Sequence, residues 1–146
     1  MEDHIKYSDG SERRKLTTNI FYTSGWVNNY YTHKLKDFNL TYQQYHILKI
    51  IKRYDPEPVS ANVIKECMPE MQSDVSRLIE RMREKGLIDR QICPNDRRKV
   101  DVRLQDVGRE LLLKIELLEC EWDGVLKKLT DDEAVQLNFL LDKIRG

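Results

Sequence analysis

Between Met71 and Leu104 the chain reads MQSDVSRLIERMREKGLIDRQICPNDRRKVDVRL, and its chemistry-bearing residues there are mostly hydrogen-bond donors. Gln72, Ser73, Ser76 and Arg77 open an amphipathic segment whose other side is Val75, Leu78, Ile79 and Met82. Helical spacing puts Ser73, Ser76, Arg77 and Glu80 on one face. Glutamine pairs with an adenine edge, arginine with guanine, and serine with a base or a phosphate, so this face suits the major groove of a DNA duplex. Asp74 falls in the first turn, where the helix dipole favours a carboxylate. Near phosphates it needs Arg77 or a cytosine amino group as partner. A solvated helix face carries the same residue types and is the competing explanation.

The segment Cys93 to Lys99 is more specific. Pro94, Asn95 and Asp96 are turn formers, as a hairpin tip requires. Two arginines are not required by a turn. Asp96 and Arg98, two apart across a turn, can pair so that the carboxylate holds a guanidinium pointing outward, the group that a narrow, electronegative minor groove attracts. Arg97 and Lys99 then meet phosphates. Charges placed there for solubility are the alternative.

Catalytic chemistry is not indicated. There is no glycine-rich phosphate loop, metal-ligand cluster or nucleophile motif. Cys67, Cys93 and Cys120 are widely spaced and odd in number, which implies neither a disulfide framework nor zinc. Reduced thiols in a cytoplasm are the plain expectation. No apolar run reaches the ~18 residues of a membrane helix, and MEDHIKYSDGSERRK lacks the apolar stretch of a secretion signal.

The 146 residues, 40% hydrophobic and 34% charged, suit one helix-rich domain. The formal net charge is zero, but its distribution is uneven. Residues 71–103 carry nine basic and six acidic side chains, a net of +3. Residues 104–146 carry six basic and ten acidic ones, a net of −4. Positive charge thus gathers in the middle, where a phosphate backbone could use it.

The positioning elements follow from periodicity and caps. Residues 11–37 form a first helix, with Ile20, Val27, Tyr30, Tyr31 and Leu35 at helical spacing and Phe21, Tyr22 and Trp26 adding aromatic bulk. Thr41 with Gln44 is a capping box for a second helix, apolar at Tyr45, Leu48 and Ile51 and ended by Asp55-Pro56. Ser60 caps a short third helix over Ala61–Cys67. A fourth starts near Met71–Ser73 and stops at Lys85-Gly86, with glycine as C′. Leu87–Ile92 and Lys99–Leu104 are strands, the second alternating Val100, Val102 and Leu104 with Asp101 and Arg103. A long helix, about Asp106 to Lys128, precedes another capping box, Thr130 with Glu133. That box opens a last helix with Val135, Leu137, Leu140, Leu141 and Ile144 inside. The third and fourth helices make a helix-turn-helix. The apolar faces of the terminal helices need a partner, and a second copy of the chain supplies one in a two-fold dimer.

Ser76-Arg77-Leu78-Ile79-Glu80-Arg81-Met82, Lys85-Gly86-Leu87-Ile88-Asp89-Arg90, Asn95-Asp96-Arg97-Arg98, Val102-Arg103-Leu104 and Gly108-Arg109-Glu110-Leu111-Leu112 together resemble the MarR family of regulators. The likeness runs from about residue 12 to the end. It implies a mainly α fold with a small β-hairpin wing (α+β), a winged helix-turn-helix with N- and C-terminal dimerisation helices. In a single domain, residues 11–37 and 106–146 would form the dimerisation region. Residues 38–105 would form the DNA-binding lobe, with the recognition helix at about 71–85 and the wing at about 87–104. It further implies a homodimeric repressor on a pseudo-palindromic operator, with Ser76 and Arg77 in the recognition helix and Arg98, braced by Asp96, in the minor groove. Arg90 falls where the family places a phosphate or wing-supporting contact. Many members lose DNA affinity on binding a small aromatic or phenolic effector between the dimer helices and the DNA-binding lobe. Leu104-Gln105 departs from the family's usual Leu-Thr before the fifth helix, leaving Asp106 to cap.

Tyr30, His33, Tyr45 and His46 are candidates to line such a pocket, with ordinary aromatic packing as the alternative. No cofactor is implied. Two other functions compete with a ligand-responsive regulator. One is a winged-helix adaptor for proteins, which an apolar wing tip would favour over the observed Arg97-Arg98. The other is a thiol-based redox sensor using Cys93 beside the wing arginines. The family's peroxide sensors keep their cysteine near the start of the first helix, where this chain has none.

Overall fold

The computed structural model describes residues 11–68, 74–93, 96–122 and 126–146, with residues 93, 96–99, 120 and 121 described by backbone alone. Helix α1 is Glu12–Leu35, followed by a 3-10 turn Lys36–Phe38; α2 is Tyr42–Tyr54; β1 is Val59–Ser60; α3 is Ala61–Cys67; α4 is Val75–Glu84. Strands β2 (Ile88–Cys93) and β3 (Asp96–Leu104) lead into α5 (Asp106–Trp122) and α6 (Asp131–Arg145).

Local chemistry sets most of these ends. The Gln44 N–H donates to Thr41 Oγ1 and the Thr41 N–H to Gln44 Oε1, both at 3.2 Å. Thr130 and Glu133 repeat the arrangement at α6, and the Ser60 hydroxyl accepts from the Val63 N–H at the head of α3. The α1 turn and α4 end alike. Asn39 (φ 53°) and Gly86 (φ 70°) take the left-handed conformation at C′. The next N–H reaches back five residues, Leu40 to Leu35 O and Leu87 to Met82 O. The first helix therefore stops at Leu35 rather than residue 37, tightening into the 3-10 turn.

Helix α4 starts at Val75, later than the 71–73 expected. Asp74 is its N-cap rather than a first-turn residue, its carboxylate accepting from the Arg77 N–H at 3.1 Å. Residues 69–73, Gln72 and Ser73 among them, lie outside the described residues. Helix α5 ends at Trp122, not Lys128, and a turn with the Leu129 N–H on Leu126 O leads to the Thr130 cap.

The sheet has the order β1-β3-β2, all antiparallel. β1 is too short to leave a period in the sequence and exists because Val59 pairs with Val102 and Ser60 with Asp101. The β2–β3 hairpin is longer than the expected strands. Ile92 pairs with Val100 but Cys93 with Asp96, so β3 advances four residues while β2 advances one. Arg97, Arg98 and Lys99 are the extra residues of that irregularity.

The core sits in the lobe: Ile47, Leu48, Ile50 and Ile51 of α2 meet Ile64, Ile79, Met82, Ile88 and Val102, with Leu112 and Ile115 arriving from α5. Phe38 and Tyr31 pack on Trp122 at the end of α5, and Tyr31 on Tyr42, tying α1 to α2 and α5. Helix α6 buries nothing. Val135, Leu137, Leu140 and Ile144, expected inside, are exposed. Leu141 is half-buried. Their helix is capped and amphipathic, but no other described element of this chain covers its apolar face.

Candidate nucleic-acid interface

Helix α4 is anchored by Val75, Ile79 and Met82, all buried, which turns Ser76, Arg77, Arg81 and Arg83 to solvent. With Asp74 occupied as a cap, Ser76 and Arg77 are the second and third residues of the helix. They stand in its first turn, the part of a recognition helix that meets base edges. The Asp74 carboxylate is engaged by one helix N–H, that of Arg77.

Glu80 joins this helix to the wing. Its carboxylate accepts from Arg83 Nε and Nη2 at 3.1 and 2.6 Å and from Arg90 Nη1 at 3.4 Å. The Arg83 hydrogen bond, helped by the Arg83 and Arg90 charges, holds the Glu80 carboxyl below its usual range. Arg90 is thus exposed on β2 yet tethered to α4, a brace at the base of the hairpin. Its neighbour Asp89 pairs in register with Arg103 and binds the Gln91 amide at 2.9 Å. Asp96, Arg97, Arg98 and Lys99 are placed on β3 at the distal end of the hairpin. Asp96 and Arg98 lie on one strand, two residues apart, not across a turn from each other. The rest of that expectation concerns side chains outside the described residues.

The four candidates for an effector pocket separate. His33 lines a cleft of about 730 Å³ between α1 and α4, with Asn29, Thr32, Lys36, Gln44, Arg81 and Lys85 among the other walls. Tyr30, Tyr45 and His46 are not among its lining residues. Tyr30 packs edge-on to Tyr31, with Lys34 over its ring. His46 stacks near Tyr42, and burial, then the charges of Arg53 and Lys49, pull its pKa down. Tyr45 is buried and gives its hydroxyl hydrogen to Glu119. Burial, then that hydrogen bond to a carboxylate, push its pKa up. Lys85 bridges the cleft floor, donating to Asn39 O at 2.6 Å and Gln44 Oε1 at 3.4 Å. It ties the glycine-ended helix α4 to the asparagine-ended α1 turn and helps satisfy the buried Gln44 amide.

The sequence reading missed Arg81 and Lys85 as cleft walls and Glu80 as the brace. Glu80 and Arg83 have the i,i+3 spacing of a helix pair, a usable signal. Lys85 and Asn39 are 46 residues apart, and nothing local announces that bond.

Helices α3 and α4, flanked by a three-stranded sheet and long terminal helices, have the arrangement of a winged-helix DNA-binding protein. The MarR family model matches residues 40–100. The HTH-type transcriptional regulator MgrA of Staphylococcus aureus is 32% identical over 142 residues, covering 90% of this chain and 88% of that protein. The chain belongs to the MarR family and is a DNA-binding transcriptional regulator, not an enzyme. Among solved structures, a mutant of E. coli MarR complexed with operator DNA superposes with a TM-score of 0.79 at 23% identity, over 90% of this chain and 94% of that one. Bordetella bronchiseptica BpsR, whose DNA binding is regulated by 6-hydroxynicotinic acid, superposes with a TM-score of 0.79 at 22% identity, over 90% and 99%. At these identities the structures speak for the fold.

Proposed function

We propose that the chain is a homodimeric repressor that reads a pseudo-palindromic operator, one winged helix on each half-site, and releases it when a small aromatic or phenolic effector binds. The observation that carries this reading is the pairing of an exposed first turn on α4 with uncovered apolar faces on the terminal helices. Phe21 is 75% exposed on α1, Leu117 80% on α5 and Phe139 64% on α6. A second copy covers such faces and presents two recognition helices related by a two-fold axis. Ser76 and Arg77, with Gln72 and Ser73 ahead of them, read the major groove. Arg98, oriented by Asp96, enters the minor groove, and Arg97 and Lys99 bind phosphates. Arg90 positions the wing through Glu80.

The cleft lined by His33, Lys36, Arg81 and Lys85 is the place for an effector anion, since it lies between α1 and the recognition helix and Lys36, Arg81 and Lys85 outnumber Glu84 along its walls. The E. coli MarR complex with operator DNA and the regulation of BpsR by a hydroxylated aromatic acid support the same reading of this chain.

The test is a binding assay at fixed salt on a duplex that the wild-type protein selects from random DNA. Arg98→Ala should weaken binding by about 1–3 kcal/mol and leave the dimer intact in sedimentation. Unchanged affinity removes the minor-groove role. For the wild type, log K should fall with log salt; a slope near zero would sink the phosphate contacts.

A further inference from the structure

Helices α2 and α5 face each other through polar contacts as well as aliphatic ones. Lys49 Nζ donates to Glu119 Oε1 at 2.8 Å, and the Tyr45 hydroxyl donates to the same oxygen. One turn along, Lys52 Nζ reaches both oxygens of Glu116, at 2.7 and 2.5 Å. At the end of α2 the polarity reverses: Arg109 Nε and Nη2 grip the two Asp55 oxygens at 2.9 and 2.6 Å. Residue numbers rise along α2 as they fall along α5, so the helices are antiparallel and the pairs form a ladder.

Their aliphatic contact is non-directional and tolerates sliding or rolling of one helix on the other. Ion pairs with hydrogen-bond geometry do not, because each slip breaks several at once. The carboxylates are the more enclosed partners, Glu119 26% and Glu116 27% exposed, so screening by solvent is partial. Helix α2 also contacts α1, α3, α4 and β3. The placement of α5 on α2 therefore fixes where the recognition helix stands relative to the terminal helices.

We propose that Lys49, Lys52, Glu116 and Glu119 are positioning residues for DNA recognition: they set the separation of the two recognition helices and hence the half-site spacing the protein accepts. This rests on the homodimer reading above. Moving one half-site by a base pair shifts it about 3.4 Å along the duplex and turns it by roughly a tenth of a revolution, so a small roll at the ladder changes which spacing fits.

The experiment uses duplexes carrying the half-sites that the wild-type protein selects, at the selected spacing and at one and two base pairs more or less, together with a single half-site. Wild type, Lys49→Gln with Lys52→Gln, Glu116→Gln with Glu119→Gln, and the exchanged pair Lys52→Glu with Glu116→Lys are compared. Wild type should prefer one spacing by about tenfold or more. Both neutralised proteins should keep the dimer and the single half-site affinity, while the preference falls to within about threefold. The exchanged pair should recover it. Neutralised proteins that retain the wild-type preference overturn the positioning role. So does a loss of preference that follows half-site affinity and is not recovered by exchange. A wild type indifferent to spacing overturns both this role and the two-fold reading beneath it.

Discussion

A half-buried histidine shows how much a single side chain carries. His46 lies on α2 against the Tyr42 ring. Burial, then Arg53 and Lys49, lower its pKa from the ordinary 6.5, against a hydrogen bond to the Cys67 backbone that raises it. The folded protein therefore binds fewer protons than the unfolded chain as pH approaches and passes below 6.5. Stability is present above that value and is lost as pH falls through the window between it and the depressed folded pKa. The melting midpoint should drop between about pH 7.5 and 5.5, and the drop should shrink in His46→Gln. Equal drops in the two proteins would assign the loss to other groups. Asp55 and Glu119 add to acid sensitivity at lower pH. The Arg109 hydrogen bond depresses the Asp55 pKa. For Glu119, burial acts upward, but bonds from Lys49 and Tyr45 leave the carboxyl below its usual range.

Between elements, α5 closely approaches the start of the wing at Gly108. The Gln105 N–H donates to Leu87 O at 3.0 Å, and a Cβ on Gly108 would stand 2.1 Å from that same oxygen. Only a residue without a side chain lets the helix begin there. Gly108→Ala should cost about 1–3 kcal/mol or more, because the obstacle is backbone and cannot rotate away. Gly25, mid-helix on α1, has nothing within 4 Å of its would-be Cβ. Gly25→Ala should instead stabilise by about 0.5–1 kcal/mol. Thermal melts of the two variants should move in opposite directions; a common direction would refute the close approach. Neither glycine is distinguished from the other by its sequence neighbours. The difference lies in a carbonyl 21 residues away in the chain, that of Leu87.

Across the whole molecule, the exposed apolar residues of α1, α5 and α6 bear on assembly. Leu117→Glu places a charge in the face proposed to be shared between copies, where burying it unpaired is costly. Sedimentation should show monomers, and operator affinity should fall by about 100-fold or more as two linked half-site contacts become one. A dimer that survives this change would move the interface elsewhere. No helix among the described residues is long and apolar enough to cross a membrane.

What could be read from the residues alone is what short-range chemistry controls. Thr41, Ser60 and Thr130 start helices, Gly86 stops one, Pro56 follows the end of α2, and the Val100–Leu104 alternation makes a strand. Each depends on partners within about four residues, so spacing alone reveals it. The family likeness, carried by the helix-to-wing segment, extended that local reading to the winged-helix architecture. The Asp74 cap at the head of α4 and the irregular hairpin register are also short-range, reaching three residues to Arg77 and from Cys93 to Asp96, but spacing did not single them out. Packing between distant segments set the rest. It created β1 by pairing Val59 with Val102, and joined Tyr45 to Glu119 and Asp55 to Arg109 over 74 and 54 residues. Such contacts are fixed by how packed helices and strands meet. A carboxylate on α5 looks the same in sequence whether it faces solvent or holds a lysine of α2. For that reason the bonds that hold α2, α4 and α5 in place were not legible in the sequence.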